Sequence, residues 1–108
     1  MALLSAHCGV EASHVFCQGA VRNVSDRPLA DLWARITLLD DEGLPERAGI
    51  GQVDLNPLRP GAVSTWRVVV TRFNVPFTAF QTEFTPHANG PILRMRDERP
   101  EALDVVAR

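Results

Sequence analysis

Apolar and polar residues alternate with a period of two along much of this chain, the pattern of strands that bury one face and expose the other. Leu4, Ala6, Cys8 and Val10 alternate with Ser5, His7, Gly9 and Glu11, which predicts a first, edge-type strand turned back by Glu11 to His14. From there Val15, Cys17, Gly19, Val21 and Asn23 alternate with Phe16, Gln18, Ala20, Arg22 and Val24. Asn23 to Leu29 then gathers turn formers: Asn, Ser and Asp side chains bond nearby backbone, and Pro28 fixes φ and removes a donor. Alternation resumes with Leu32, Ala34, Ile36 and Leu38 against Trp33, Arg35, Thr37 and Leu39, before the acidic turn Asp40, Asp41, Glu42 and Gly43. The two runs on either side of Asn23 to Leu29 read as a hairpin with a long connection.

Residues 44–49 read as irregular, and Ile50 to Leu55 as a short strand stopped by Pro57, Pro60 and Gly61. Pro60-Gly61 suits the two central positions of a type II turn. Val63 to Val70 is the most β-prone run, with Trp66, Val68 and Val70 on the core side and Thr65, Arg67 and Val69 opposite. A bend from Thr71 to Pro76 leads into Phe77 to Thr85, in which Phe80, Thr82 and Phe84 share a face. Asn89-Gly90-Pro91 reads as a turn and Ile92 to Met95 as a last short strand. The pattern therefore predicts an all-β sandwich of about six or seven antiparallel strands over residues 1–96, with 97–108 as a tail or linker in which a short helix from Glu101 is the alternative.

Several of these positions resemble the FxLYD family of prokaryotic immunoglobulin-like domains. Gly19-Ala-Val21-Arg-Asn23 matches its Gly-x-Val-x-Asn strand, Ile36-Thr-Leu38-Leu39-Asp40 with Gly43 its Phe-x-Leu-Tyr-Asp run, and Pro60-Gly61 with Trp66 its later Pro-Gly and aromatic strand. Ile36 stands where the family has Phe and Leu39 where it has Tyr. The resemblance spans roughly residues 10–85 and implies an immunoglobulin-like fold, with no chemistry attached. CARDB-like and late-embryogenesis-abundant-like sandwiches share the same Asn-turn and Pro-Gly grammar.

At 108 residues the chain is sized for one domain, and a net charge of −2 gives no nucleic-acid footprint. All 11 cations are Arg and Tyr is absent, which fits GC-rich coding. No apolar run approaches the roughly 20 residues of a membrane span, so no membrane insertion is expected. The opening MALLSAHCGVEAS imitates a signal peptide or lipoprotein site but lacks a basic start and a long apolar stretch, so no signal is assigned and the compartment stays open.

Candidate chemistry is sparse. Cys8 and Cys17 share inward parity on neighbouring strands and flank a turn, which fits either a disulfide across the first hairpin or two buried thiols. His7, Cys8, His14 and Cys17 could supply nitrogen and sulfur ligands, but adjacent His7 and Cys8 point to opposite faces, so no metal and no other cofactor is expected. Asp40, Asp41 and Glu42 read as a solvated turn. Asn23-Val-Ser25 matches a glycosylation acceptor, although a turn-capping role for Asn23 is the stronger reading. No nucleophile with a paired base and no phosphate loop is present, so no enzymatic activity is expected.

Outward parity on the predicted strands is shared by Phe16, Arg22, Trp33, Arg35 and Arg67, an aromatic and Arg composition favoured at protein interfaces. The sequence thus points to a non-catalytic module for protein binding, self-association as a homodimer, or spacing of other domains. A small redox or metal-binding domain using Cys8 and Cys17 is the alternative.

Overall fold

The computed structural model describes residues 1–71, 77–87, 90–100 and 104. Its period-two segments form strands β1 (Ala2–Glu11), β2 (His14–Arg22), β3 (Trp33–Leu39), β4 (Pro45–Gln52), β5 (Val63–Thr71), β6 (Ala79–Thr85) and β7 (Arg96–Asp97). They lie in two sheets, ordered β5-β2-β1-β7 and β4-β3-β6, which stack as a β-sandwich. The sheets meet over one core in which Trp66, Phe77, Phe80, Phe84, Leu3, Leu32, Ile36 and Leu38 are fully buried. Trp66 meets Phe84 edge to face with ring centres 6.0 Å apart, an arrangement aromatic quadrupoles favour. Along β5 buried and exposed residues alternate at every position, as its sequence predicts.

The runs flanking Asn23 to Leu29 do not form a hairpin. β2 pairs with β1 and β5, whereas β3 pairs with β4 and β6, so the connection crosses from one sheet to the other. Asn23 fixes that crossing. Its buried side chain donates through Nδ2 to the carbonyls of Arg27 (2.7 Å) and Leu58 (2.9 Å), and Oδ1 accepts from the Ser25 amide (2.9 Å) and hydroxyl (2.6 Å). Its backbone also bonds Ala62 and Gly61, just after the Pro60 turn. The capping role expected of Asn23 is therefore met with all four side-chain hydrogen-bonding sites filled.

β4 begins earlier than expected, at Pro45 rather than Ile50, and its inward positions include Gly49 and Gly51 instead of aliphatics. The cause is close approach to β5: a Cβ at Gly51 would stand 2.0 Å from the Arg67 carbonyl oxygen, and one at Gly49 2.7 Å from that of Val69. Of the apolar residues in the expected strand Ile50 to Leu55, Val53 is buried, whereas Ile50 and Leu55 are exposed. Beyond β4 the chain joins the other sheet through a Val53–Trp66 bridge, which closes this side of the sandwich.

The other side is closed by the C-terminal segment. The Leu93 amide donates to the Phe84 carbonyl, and those of Arg96 and Glu98 donate to Met1 and Leu3. The last strand among the described residues is consequently Arg96–Asp97 rather than Ile92 to Met95, and it runs parallel to β1, not antiparallel as expected. The expected boundary between domain and tail after residue 96 falls inside β7. The bend over 72–76, Asn89 of the expected turn, and the helix expected from Glu101 lie outside the described residues, apart from Asp104.

Arg99 clasps this segment. Its guanidinium donates to both Asp97 carboxylate oxygens (2.8 and 2.6 Å) and to Asp104 Oδ1 (2.5 Å), while the Phe80 amide donates to the Asp104 carbonyl (2.9 Å). The Arg99 hydrogen bonds hold the Asp97 carboxyl down at about 2. A depressed acid stabilises the fold above its unfolded pKa and loses that contribution as pH falls through the folded one.

Two measurements check these contacts. Asn23→Ala, which leaves the buried Leu58 carbonyl and the Ser25 amide without their partner, should lower unfolding free energy by about 2–3 kcal/mol in urea titration. The urea midpoint of the native chain should fall as pH drops from about 4 to about 2, and Asp97→Asn should flatten that part of the pH profile.

Candidate interaction face

The strand pairings dictate which side chains share the outer face of the β5-β2-β1 sheet. Gly9, Phe16 and Val69 form one cross-strand row, His7, Gln18 and Arg67 the next, and Ser5, Ala20 and Thr65 a third, with Arg22 opposite Val63 beyond. Phe16 and Val69 are directly opposed on neighbouring strands, yet 45% and 49% exposed. The His14 ring leans over Phe16 at 6.1 Å. A concavity of ≈ 740 Å³ lies here, lined by His7, Gly9, Phe16, Gln18, Arg67 and Val69 among others. Neither Arg22 nor Arg67 makes an ion pair among the described residues.

The opposite sheet places Trp33 between Gln52 and Thr85, and Arg35 between Ile50 and Glu83. Arg35 is already engaged there, its Nη2 lying 3.2 Å from Glu83 Oε2. Trp33 is half-buried. The five residues expected to make one aromatic and Arg face are thus divided: Phe16, Arg22 and Arg67 share one surface, and Trp33 and Arg35 lie on the far side of the molecule. Parity along a strand gives the face of its own sheet, whereas which sheet a strand joins is a non-local matter. Val69 and Ile50 complete these surfaces and escaped the sequence reading as site residues, although Val69 shares outward parity with Arg67.

Beneath the Phe16 row, Cys8 and Cys17 are directly opposed in the β1–β2 ladder and joined by a disulfide, with their Cα atoms 4.1 Å apart. Both are buried and point into the core beside Val68. The bond consumes both sulfurs on the inner face, while His7 stands exposed on the outer one, so the four-donor metal set does not converge. Asn23 Nδ2 spends its protons on Arg27 and Leu58, which leaves no free amide for a glycan in the folded chain.

The acidic turn is organised from within. Asp40 Oδ1 accepts the amides of Glu42 and Leu44, both at 2.9 Å, and the Leu44 bond is the main cause holding its carboxyl below the usual range. Gly43 closes the turn with φ +79°.

Comparison of the chain with protein-family models, with curated proteins and with solved structures finds no match, so the functional argument rests on this geometry.

The disulfide closes a short loop, with a sequence separation of 9. Replacing both cysteines by Ala should therefore cost about 2–3 kcal/mol in denaturant unfolding, with the β-type circular dichroism spectrum retained.

Proposed function

We propose that this chain is an immunoglobulin-like sandwich module, of the kind the FxLYD pattern describes, that folds in an oxidising compartment and docks a protein partner on its Phe16 face. The carrying observation is the juxtaposition of Phe16 and Val69, two large apolar side chains held side by side in solvent on a three-stranded platform, bordered by Arg67 and Arg22. Burying such a pair against a partner yields roughly 25 cal/mol for each Å² of apolar surface removed from water. The bordering Arg residues supply directional contacts of the kind that anchor interfaces.

The fold reading is supported by where the motif residues lie. Gly19, Val21 and Asn23 run along β2 into the crossover, Ile36 to Asp40 end β3 at the acidic turn, and Pro60-Gly61 leads into β5 and Trp66. The disulfide supports the compartment, because such bonds persist where thiols are not kept reduced. A redox role for Cys8 and Cys17 draws less support, since both sulfurs face the core and exchange requires a thiolate to reach one of them.

Cross-linking with mass spectrometry, using the chain as bait in extract from its own source, tests the face. A partner held by the native chain should also be held by Ile50→Ser, on the opposite sheet. Phe16→Ser combined with Arg67→Ala should reduce its recovery by at least roughly tenfold, the equivalent of about 1.4 kcal/mol. Equal recovery by all three proteins would sink the proposal.

A further inference from the structure

We infer that the partner segment docked on the Phe16 face is extended and carries an apolar, an acidic and a basic side chain at alternate positions, seated in turn on Phe16 with Val69, on Arg67 and on Asp54. With that proposed face as premise, the three rows of side chains across it specify what binds.

β5 sets the spacing. Val69, Arg67 and Thr65 are successive outward positions of that strand, each about 6.7 Å from the next. Their cross-strand neighbours give every row its own character. Phe16 and Gly9 extend the Val69 row as an apolar one, Gln18 and His7 extend that of Arg67, and Ala20 and Ser5 that of Thr65. Asp54 joins the third row from outside the sheet, its amide donating to the Thr65 carbonyl (3.1 Å) and its carboxylate accepting the Thr65 hydroxyl.

The concavity over Phe16 and Val69 adjoins a second one of ≈ 450 Å³ over Thr65 and Asp54, and the two share His7, Gln18 and Arg67. One ligand can therefore reach all three rows by lying along the strands. The charges it meets there are uncompensated. Arg67 and Asp54 line the same concavity, yet neither joins an ion pair among the described residues, with each other or with Arg22 one row beyond. A guanidinium grips a carboxylate through two parallel hydrogen bonds, and Asp54 keeps Oδ1 for a cation while Thr65 holds Oδ2.

The order of the rows dictates the order of the ligand. An acid belongs in the middle, because at the Phe16 row it would be desolvated against apolar carbon and at the third row it would face Asp54. An extended chain fits this ruler, since its own alternate side chains share one side and recur at the same interval. Residues i, i+2 and i+4 then meet the three rows, whichever way the ligand runs.

Selection of a displayed library of random peptides on the full chain, with calorimetry on the recovered sequences, tests the assignment. Peptides held by the native chain should carry an acid with an apolar residue two positions to one side and a base two positions to the other. Arg67→Glu should weaken such a peptide by at least roughly tenfold, and exchanging the peptide's acid for Lys should restore binding to that variant while weakening it for the native chain. Asp54→Lys should behave in the same way toward the peptide's base. Both side chains are exposed, so the dichroism spectrum should not change, and a purely structural role would give no such reciprocal rescue. Four results would overturn the inference: no enrichment of that pattern, a pattern spaced i, i+4 and i+8 as on a helix, affinities indifferent to both charge reversals, or recognition confined to oligosaccharides on a parallel glycan array. Peptides released by Phe16→Ser but indifferent to both reversals would defeat this assignment and leave the face standing. Peptides indifferent to Phe16→Ser as well would remove both.

Discussion

A single buried amide governs how this chain changes sheets. Asn23 ends β2 at the point where the backbone must leave one layer for the other, and such crossings strand polar groups in an apolar interior. Its side chain answers on both sides, donating to Arg27 and Leu58 and accepting twice from Ser25. Leu58 belongs to the segment between β4 and β5, so the same residue ties the first crossover to the second. With Leu29 and Leu58 also bridged to one another, the two crossings support each other at one end of the sandwich.

From that end the rest of the architecture follows. Holding Leu58 and Ala62 against Asn23 brings β5 alongside β2, and the tight seam between β4 and β5 then demands residues without side chains at Gly49 and Gly51. Gly19 answers a similar demand in the first sheet, where a Cβ would stand 2.6 Å from the Trp66 ring and 2.0 Å from the Ser5 carbonyl oxygen. The core can hold a fully buried Trp66 because glycine stands beside it. An aromatic of that size fixes the spacing of the two layers, and Phe84 meets it from the opposite sheet.

These relations explain what the sequence could and could not reveal. Alternation exposed β1, β2, β3, β5 and β6 because most positions on their dry faces carry ordinary apolar side chains, although the bulge after Leu3 buries Leu3 where alternation expected Leu4. It failed for β4, whose inner positions are glycines chosen for backbone contact, and whose aliphatic Ile50 points outward. The turn at Asp40 to Gly43 and the capping by Asn23 of its own turn were legible because both are local, whereas the Asn23 bond to Leu58 was not. The pairing of β2 with β5 instead of β3, and the parallel docking of β7, were not, since each is decided by residues far apart in the chain. The candidate face suffered for the same reason: outward parity was correct for Phe16, Arg22, Trp33, Arg35 and Arg67, but parity cannot say that two of them sit on the far layer.

The disulfide underlies the outer face of the first sheet. Cys8 lies midway along β1, and Cys17 immediately follows Phe16 on β2. A covalent link between directly opposed residues forbids a slip of β1 against β2, and a slip of one residue would exchange every inward side chain of the strand for an outward one. The same bond therefore keeps Gly9 beside Phe16 on the outer face. That face does not expose the sulfurs, which are buried. Their contribution is to the register that sets which groups the face presents.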